Sequence, residues 1–238
     1  MVVRHPHRHM SRLLLISVGL IFFLVTLSPK IGTELLRGLK EHPYLSSLIV
    51  LFGMISLSLL WTSGQQIDAV VFLFFNFKGD RPLWLDRVML TFTQLGSGLM
   101  GIVLSLFLFF VDDHQLAYEM FLGTLILWLV VEIMKVLFCR SRPFIKLTQT
   151  RIVGRRERGR SFPSGHTSQA FFMATLLAQH FHLFFRGATL LYLVAALVAI
   201  TRMYVGAHYP RDVLAGGILG SAIGTLGAII DAYFLPIL

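Results

Sequence analysis

Polar residues in this chain are confined to a few short stretches. Between them run apolar segments of the length that a bilayer's hydrocarbon core demands of a helix, about 17 to 25 residues. The pattern predicts helices over Leu13 to Leu27, Tyr44 to Trp61, Leu95 to Val111, Leu116 to Phe138, Thr167 to Phe185, Ala188 to Val205 and Val213 to Leu235. The first is the shortest and follows Arg4, Arg8 and Arg12, a flank shared with secretory signals, but Pro29 after Ser28 spoils a small-residue cleavage site. The last carries Gly216, Gly220 and Gly224 at four-residue spacing, so one helix face lacks side chains and suits close packing against another backbone. The expected fold is therefore all-α, a polytopic transmembrane helix bundle. A six-helix core would occupy residues 44–238, preceded over residues 1–43 by a basic N-terminus and an extra hydrophobic segment.

Composition agrees with a membrane protein: 55% of the 238 residues are hydrophobic and 14% charged, outside the usual range of soluble domains. The formal charge is +9, but the arginines are clustered in short segments. No soluble basic face exists to track nucleic acid, so the clusters suit anionic headgroups or phosphates at a membrane surface. The lone Cys139 cannot form an internal disulfide and says nothing of redox compartment. Three connecting segments are polar. Gln65 to Arg87 alternates charges with aromatics (Asp68, Phe72, Phe74, Phe75, Lys78, Trp84) and reads as an interfacial lipid anchor without a part in chemistry. The other two, Cys139 to Pro163 and Arg202 to Asp212, hold the candidate chemistry.

Lys135 lies in an apolar helix end, with Arg142 two helical turns on, just before a helix-ending Pro143. Alone, these read as a snorkelling lysine and a capping arginine. Next comes Pro163-Ser164-Gly165-His166, directly before an apolar helix. Such a turn offers backbone N–H groups at a helix N-terminus, a site suited to a phosphate oxyanion, with His166 beside it. Finally Arg202 is followed by His208 and Asp212, the last two at i, i+4 with Pro210 opening the helix. That spacing lets the carboxylate bond one imidazole nitrogen and leave the other unprotonated as a nucleophile. No second ligand for a metal lies nearby at suitable spacing, although a remote one such as Asp112 is open on spacing alone. Ionisable residues at the ends of membrane spans are costly and mark function. Counting crossings brings all three elements to one membrane face.

Taken together, Lys135 through Pro143, Pro163 through His166 and Arg202 through Asp212 resemble the three-part signature of the type 2 phosphatidic acid phosphatase family, whose pocket is shared with vanadium haloperoxidases. The likeness runs from about Tyr44 to the end, and Gly96-Ser97 fits it too. Thr201 stands where the family often has serine, and the segment near Leu13 to Leu27 is additional to the family's six-span core. The resemblance implies a lipid phosphatase needing no metal or other cofactor. Lys135, Arg142, Arg202, the Ser164 hydroxyl and the Gly165 amide would hold the phosphoryl oxygens. His208 would attack phosphorus, Asp212 would orient and stabilise it, and His166 would protonate the leaving group and later activate water. A neutral His208 beside a protonated His166 implies a bell-shaped pH profile.

Partners on this reading are a lipid phosphate and the bilayer, with no nucleic acid. Undecaprenyl diphosphate, phosphatidylglycerol phosphate, phosphatidate and a lipid A phosphate are all open as substrates. A lipid phosphotransferase using the same site is one alternative; a catalytically silent lipid-phosphate binder or transporter is another, disfavoured because a binder needs cations but no nucleophile. The basic loop with Lys146, Arg151, Arg155, Arg156, Arg158 and Arg160 against the single acid Glu157 suits either general attraction to anionic lipid or recognition of a diphosphate head. The family's sites face outward from a cell membrane. The positive-inside rule agrees only if Leu13 to Leu27 does not span, which would leave the N-terminus and Lys30 to Lys40 both inside.

Overall fold

The computed structural model describes residue 37, residues 40–76, residue 79 and residues 81–234, leaving aside the side chains of 230–234. The additional segment Leu13 to Leu27 lies outside the described residues. The remaining expected spans are helices: α1 Pro43–Ser58, α2 Thr62–Phe75, α3 Leu83–Gln94, α4 Gly98–Phe110, α5 His114–Phe138, the single turn α6 Pro143–Lys146, α7 Gly165–His180, α8 Phe185–Tyr204 and α9 Pro210–Phe234. Three stretches, His114–Lys146, Phe185–Tyr204 and Pro210–Ile229, are each long and apolar enough to cross a membrane. Two bent pairs add to them, α1 with α2 at 99° and α3 with α4 at 58°.

The middle of the bundle is α7. Nearly every residue from Thr167 to Leu176 is buried, which no amphipathic surface helix would show. The glycines of α9 explain how a second helix comes so close. A Cβ at Gly216 would stand 2.7 Å from the Ser164 carbonyl oxygen; at Gly220 it would collide with the Ser168 carbonyl, and at Gly224 it would meet Thr175 at 2.9 Å. That stripe is packing, as its spacing predicts. On the other side Leu116, Met120, Leu127 and Val131 of α5 meet Phe172 and Leu176. Phe107, Phe110, Leu122, Trp128 and Val136, by contrast, are largely exposed, as apolar side chains are where lipid replaces water. Two buried polar side chains find partners inside the bundle: Gln169 Nε2 donates to Thr124 Oγ1 at 2.8 Å and Ser105 to the Ala117 carbonyl at 2.7 Å.

Three local departures from the sequence pattern matter to the site. The long helix α5 stops at Phe138, short of Pro143, because Cys139 takes a left-handed backbone (φ 50°); Pro143 opens the next helical turn, where its fixed φ suits N1. The span from Leu95 to Val111 begins only at Gly98, after a break in which Ser97 caps α4 by accepting from Met100 N at 3.1 Å. A Cβ at Gly96, in that break, would collide with the His166 carbonyl, so only glycine lets α7 start there. The third departure corrects the reading of Gln65 to Arg87 as a bare lipid anchor. Exposed Val70 and Phe74 do face outward, but Asp68 and Asn76 are almost completely buried and tie this segment to the functional loops.

Candidate active site

The candidate residues gather where α5 ends, α7 begins and α8 passes into α9. His208 lies in the short link between α8 and α9 and is 2% exposed. The link turns back at Gly206, whose φ of 86° favours glycine; a Cβ there would also sit 2.5 Å from the Arg151 carbonyl. Two contacts fix the imidazole tautomer. Its Nδ1 is 2.7 Å from the Ser161 carbonyl, which can only accept, and its Nε2 is 3.2 Å from Arg142 Nη1, which can only donate. The proton therefore sits on Nδ1, and Nε2 carries the lone pair, which accepts from Arg142. Burial, offset in part by Asp212, together with the Arg142 and Arg202 charges and against Glu157, pushes His208 from the usual 6.5 down to about 4. At neutral pH the imidazole is uncharged, as a nucleophile must be.

Asp212 is fully buried. Its Oδ2 is 3.7 Å from His208 Nδ1, an ion-pair distance outside hydrogen-bond range, so the spacing of four residues places the carboxylate beside the ring without making it the tautomer-setting acceptor. The Ser161 carbonyl has that part. Asp212 instead accepts from Tyr209 N at 2.8 Å, from the Ser161 hydroxyl and, through Oδ1, from Arg140 at 2.6 Å. Arg140 in turn pairs with Asp68, which also receives Arg211 Nε at 2.9 Å, and the Arg140 guanidinium lies over the Tyr209 ring. A chain of alternating charges thus runs from α2 to the histidine.

Arg142 and Arg202 are 3% and 2% exposed, so both guanidinium charges are withdrawn from water and need an anion. That anion is the carboxylate of Glu157, from the basic loop. Its Oε2 is 2.9 Å from Arg142 Nη1, and its Oε1 pairs with Arg202 Nη2. The same Oε2 stands 3.9 Å from His208 Nε2. Burial alone would push the Glu157 carboxyl up, but Arg202, His208 and Arg142 outweigh it and hold the group far below the ordinary carboxylate range. Arg142 is further anchored by donating to the Ala207 and Arg158 carbonyls at 3.0 and 3.1 Å, and Arg202 by donating to Thr93 Oγ1 at 2.7 Å. Each guanidinium also keeps a buried Nε–H with no hydrogen-bond partner among the described residues.

Ser164 caps α7: its hydroxyl is within 3.0 Å of Thr167 Oγ1 and its backbone N–H donates to the Asp212 carbonyl at 3.0 Å, joining the two helix starts. Gly165 and His166 are the first two residues of that helix, and His166 lies close enough for its charge to act on Glu157. Lys135 is near enough to act electrostatically on His166, while its ammonium donates to Glu132 at 2.7 Å. The residues expected from the sequence thus converge, with Lys135 turned aside to a neighbouring acid. The spacing argument missed Glu157, Ser161, Arg140 and Asp68. The one available signal was Glu157 itself, the lone acid in a run of arginines.

The arrangement is an anion site of two buried guanidiniums with an unprotonated histidine nitrogen at its edge. Residues 116–234 match the PAP2 superfamily. An undecaprenyl-diphosphatase from Sulfolobus acidocaldarius is 28% identical over 78% of this chain and 90% of its own. A lipid A 1-phosphatase from Rhizobium johnstonii is 43% identical over 74 residues, which are 30% of this chain and 28% of that one. Among solved structures, the PAP2-type phosphatidylglycerolphosphate phosphatase of Bacillus subtilis matches with a TM-score of 0.64 at 26% identity, over 80% of this chain and 96% of its own. The Aquifex aeolicus LpxE structure matches with a TM-score of 0.58 at 31% identity, over 66% and 92%. The chain belongs to the PAP2 superfamily. It is an integral membrane lipid phosphatase, a hydrolase of phosphate esters.

Proposed function

We propose that this phosphatase hydrolyses a lipid diphosphate of the polyprenyl type through a phosphohistidine on His208. The observation that carries the reading is the anion site between Arg142 and Arg202, with His208 Nε2 at its edge, together with an adjoining pocket that Arg155 lines with Glu157 and Arg202. A terminal phosphate in place of the Glu157 carboxylate would put phosphorus in front of Nε2, and Arg155 would meet the second phosphate. Likeness to the undecaprenyl-diphosphatase over most of both chains points the same way.

In the first step the Nε2 lone pair forms the N–P bond, the ester or anhydride P–O bond breaks, and His166 supplies the proton to the departing oxygen. Arg142 and Arg202, with the Ser164 hydroxyl, the Gly165 amide and Lys135 once released from Glu132, neutralise the equatorial oxygens, a task that fixed cations perform here without a metal. The imidazolium that forms keeps its Nδ1–H on the Ser161 carbonyl and gains the nearby Asp212 charge. His166 then takes a proton from water, whose oxygen bonds to phosphorus as the N–P bond breaks, returning the lone pair to His208 Nε2 and releasing inorganic phosphate.

The site is proposed to face the extracytoplasmic side of the cell membrane. Lys40 and Glu41 lead into α1, whose start packs beside Gln179 at the far end of α7 from His166, so α1 begins on the side of the bundle opposite the site. The deciding experiment is phosphate release in detergent with EDTA present, over polyprenyl diphosphate, phosphatidylglycerol phosphate, phosphatidate and lipid A. The expected outcome is highest kcat/KM on the diphosphate and no release by His208→Ala. Full activity of that variant, or dependence on an added divalent ion, would overturn the mechanism.

A further inference from the structure

Glu157 does not belong to the machinery above, yet it occupies the anion position between Arg142 and Arg202. Its carboxylate bridges two guanidiniums that are otherwise withdrawn from water, and stands beside the nucleophilic nitrogen. Any phosphate that reacts at His208 has to take its place.

The loop is built to let it leave. Residues 155–158 lie between Gly154 and Gly159, both at positive φ (77° and 80°), and a Cβ at Gly159 would meet nothing within 4 Å, so open space lies on that side. Outside this stretch the backbone is tied down, by Val153 N to the Val205 carbonyl at 3.2 Å and by Ser161 N to the Arg140 carbonyl at 2.9 Å. Inside it the attachments are the Glu157 ion pairs, the Arg158 carbonyl on Arg142 and the Arg156 guanidinium over the Phe144 ring at 4.6 Å. Arg155, Arg156 and Arg158 are exposed, and Glu157 itself keeps 29% of its side-chain surface.

Resting on the phosphatase reading, we propose that Glu157 is an internal competitor that sets the threshold for occupying the site: at equal concentration a dianionic terminal phosphate displaces its carboxylate and a singly charged phosphodiester headgroup does not. A tethered group competes at an effective concentration in the millimolar range or above. In a site of low dielectric the attraction to two guanidiniums scales with the charge of the incoming anion. A monoanionic diester therefore exchanges one charge for one and gains nothing. A terminal phosphate brings a second charge and more acceptor oxygens. Bulk phosphodiester lipids surround this protein in large excess, so a site of bare arginines would be blocked by them.

The test uses the full-length protein in detergent micelles, with short-chain phosphatidate as the monoester substrate and short-chain phosphatidylglycerol as the diester inhibitor. Glu157→Gln should lower the Ki for the diester by about tenfold or more, the loss of roughly 1.4 kcal/mol of competition. KM for the monoester should fall by a similar factor, because either anion displaces the same carboxylate, and kcat should change by no more than about twofold. A diester Ki equal to that of the wild type, or an unchanged KM with kcat lowered about a hundredfold, would overturn the proposal. Orthovanadate binding, followed by protection from thermal unfolding, gives a readout without turnover and should tighten in Glu157→Gln. Wild-type protein that binds vanadate but releases no phosphate would instead refute the phosphatase reading and leave the competition measurable.

Discussion

The Ser161 carbonyl lies 2.7 Å from His208 Nδ1, a full ångström nearer than the Asp212 carboxylate at 3.7 Å. A neutral backbone oxygen thus holds the proton on Nδ1, while the charged group stands behind it, bonded to Arg140, Ser161 and Tyr209. Orientation and charge stabilisation are divided between two residues that act at different moments. The carbonyl acts in the resting site, and the carboxylate acts when the ring becomes an imidazolium.

The two histidines are expected to fail differently. His208→Ala should abolish phosphoenzyme formation on every substrate. His166→Ala should lower kcat on a lipid alkoxide or phosphate leaving group by about 10²- to 10⁴-fold, the range for a lost general acid. On a nitrophenyl phosphate it should regain part of the first step and accumulate acid-labile phosphohistidine. Asp212→Asn should lie between the two, keeping the tautomer through Ser161 but losing stabilisation of the imidazolium. Label trapped on His208→Ala would reverse the assignment.

The pH dependence has a defined sign. His208 is held down to about 4, chiefly by burial and then by Arg142 and Arg202 against Asp212 and Glu157. The nucleophile is thus available above that pH and lost as the pH falls through it, so the acid limb of kcat/KM should lie near pH 4 and not near 6.5. Arg142→Gln removes a charge that lowers the histidine and should move the limb up; Glu157→Gln removes one that raises it and should move the limb down. Initial rates from pH 3.5 to 8, with activity rechecked at neutral pH, measure both shifts.

Helix positions, the packing stripe of α9 and the convergence of three polar segments were legible in the sequence because each rests on a local regularity: span length, four-residue glycine spacing, charge at span ends. The partners of those residues were not. Asp68 and Arg140 are 72 positions apart in sequence, and no periodicity links an acid in an interfacial helix to an arginine beyond a helix end. Ser161 acts through its carbonyl, which every residue possesses. Glu157 was visible as an odd acid in a basic loop, but its seat between Arg142 and Arg202 depends on how the loop folds back over the site.

Arg140 is expected to be a positioning residue. Arg140→Met would leave Asp212 and Asp68 without a shared cation in a site only 11% exposed at the arginine, costing about 3 kcal/mol of stability. A lower midpoint in detergent unfolding would show that much, as it would for any structural residue. The specific readout is the acid limb of kcat/KM. With Arg140 gone the Asp212 charge acts on His208 without opposition, and the limb should move to higher pH. Arg140→Lys, which keeps the charge, should restore the limb more than the stability, because one ammonium cannot reproduce the two-pronged contact.

The basic loop provides the last prediction, which separates recognition of a diphosphate from general attraction to an anionic surface. Arg155 lines the pocket that holds Glu157 and Arg202, Arg156 is stacked on Phe144, and Arg158 contributes only its backbone carbonyl to Arg142. Replacing Arg155, Arg156 and Arg158 together by Gln keeps that carbonyl and removes three charges from the rim. Surface attraction is worth about 1 kcal/mol per basic residue and acts on any anionic lipid, so on that account KM should rise by the same factor for every substrate. Contact with a second phosphate adds a term that a monophosphate lacks. KM for the polyprenyl diphosphate is then expected to rise about tenfold more than KM for phosphatidate, with kcat for both unchanged, because the charges at His208 are untouched. Raising salt from 0.05 to 0.5 M should shrink the common factor through screening and leave more of the difference. Equal KM increases for both lipids at both salt concentrations would assign the loop to the membrane surface alone and remove the structural support for a diphosphate substrate.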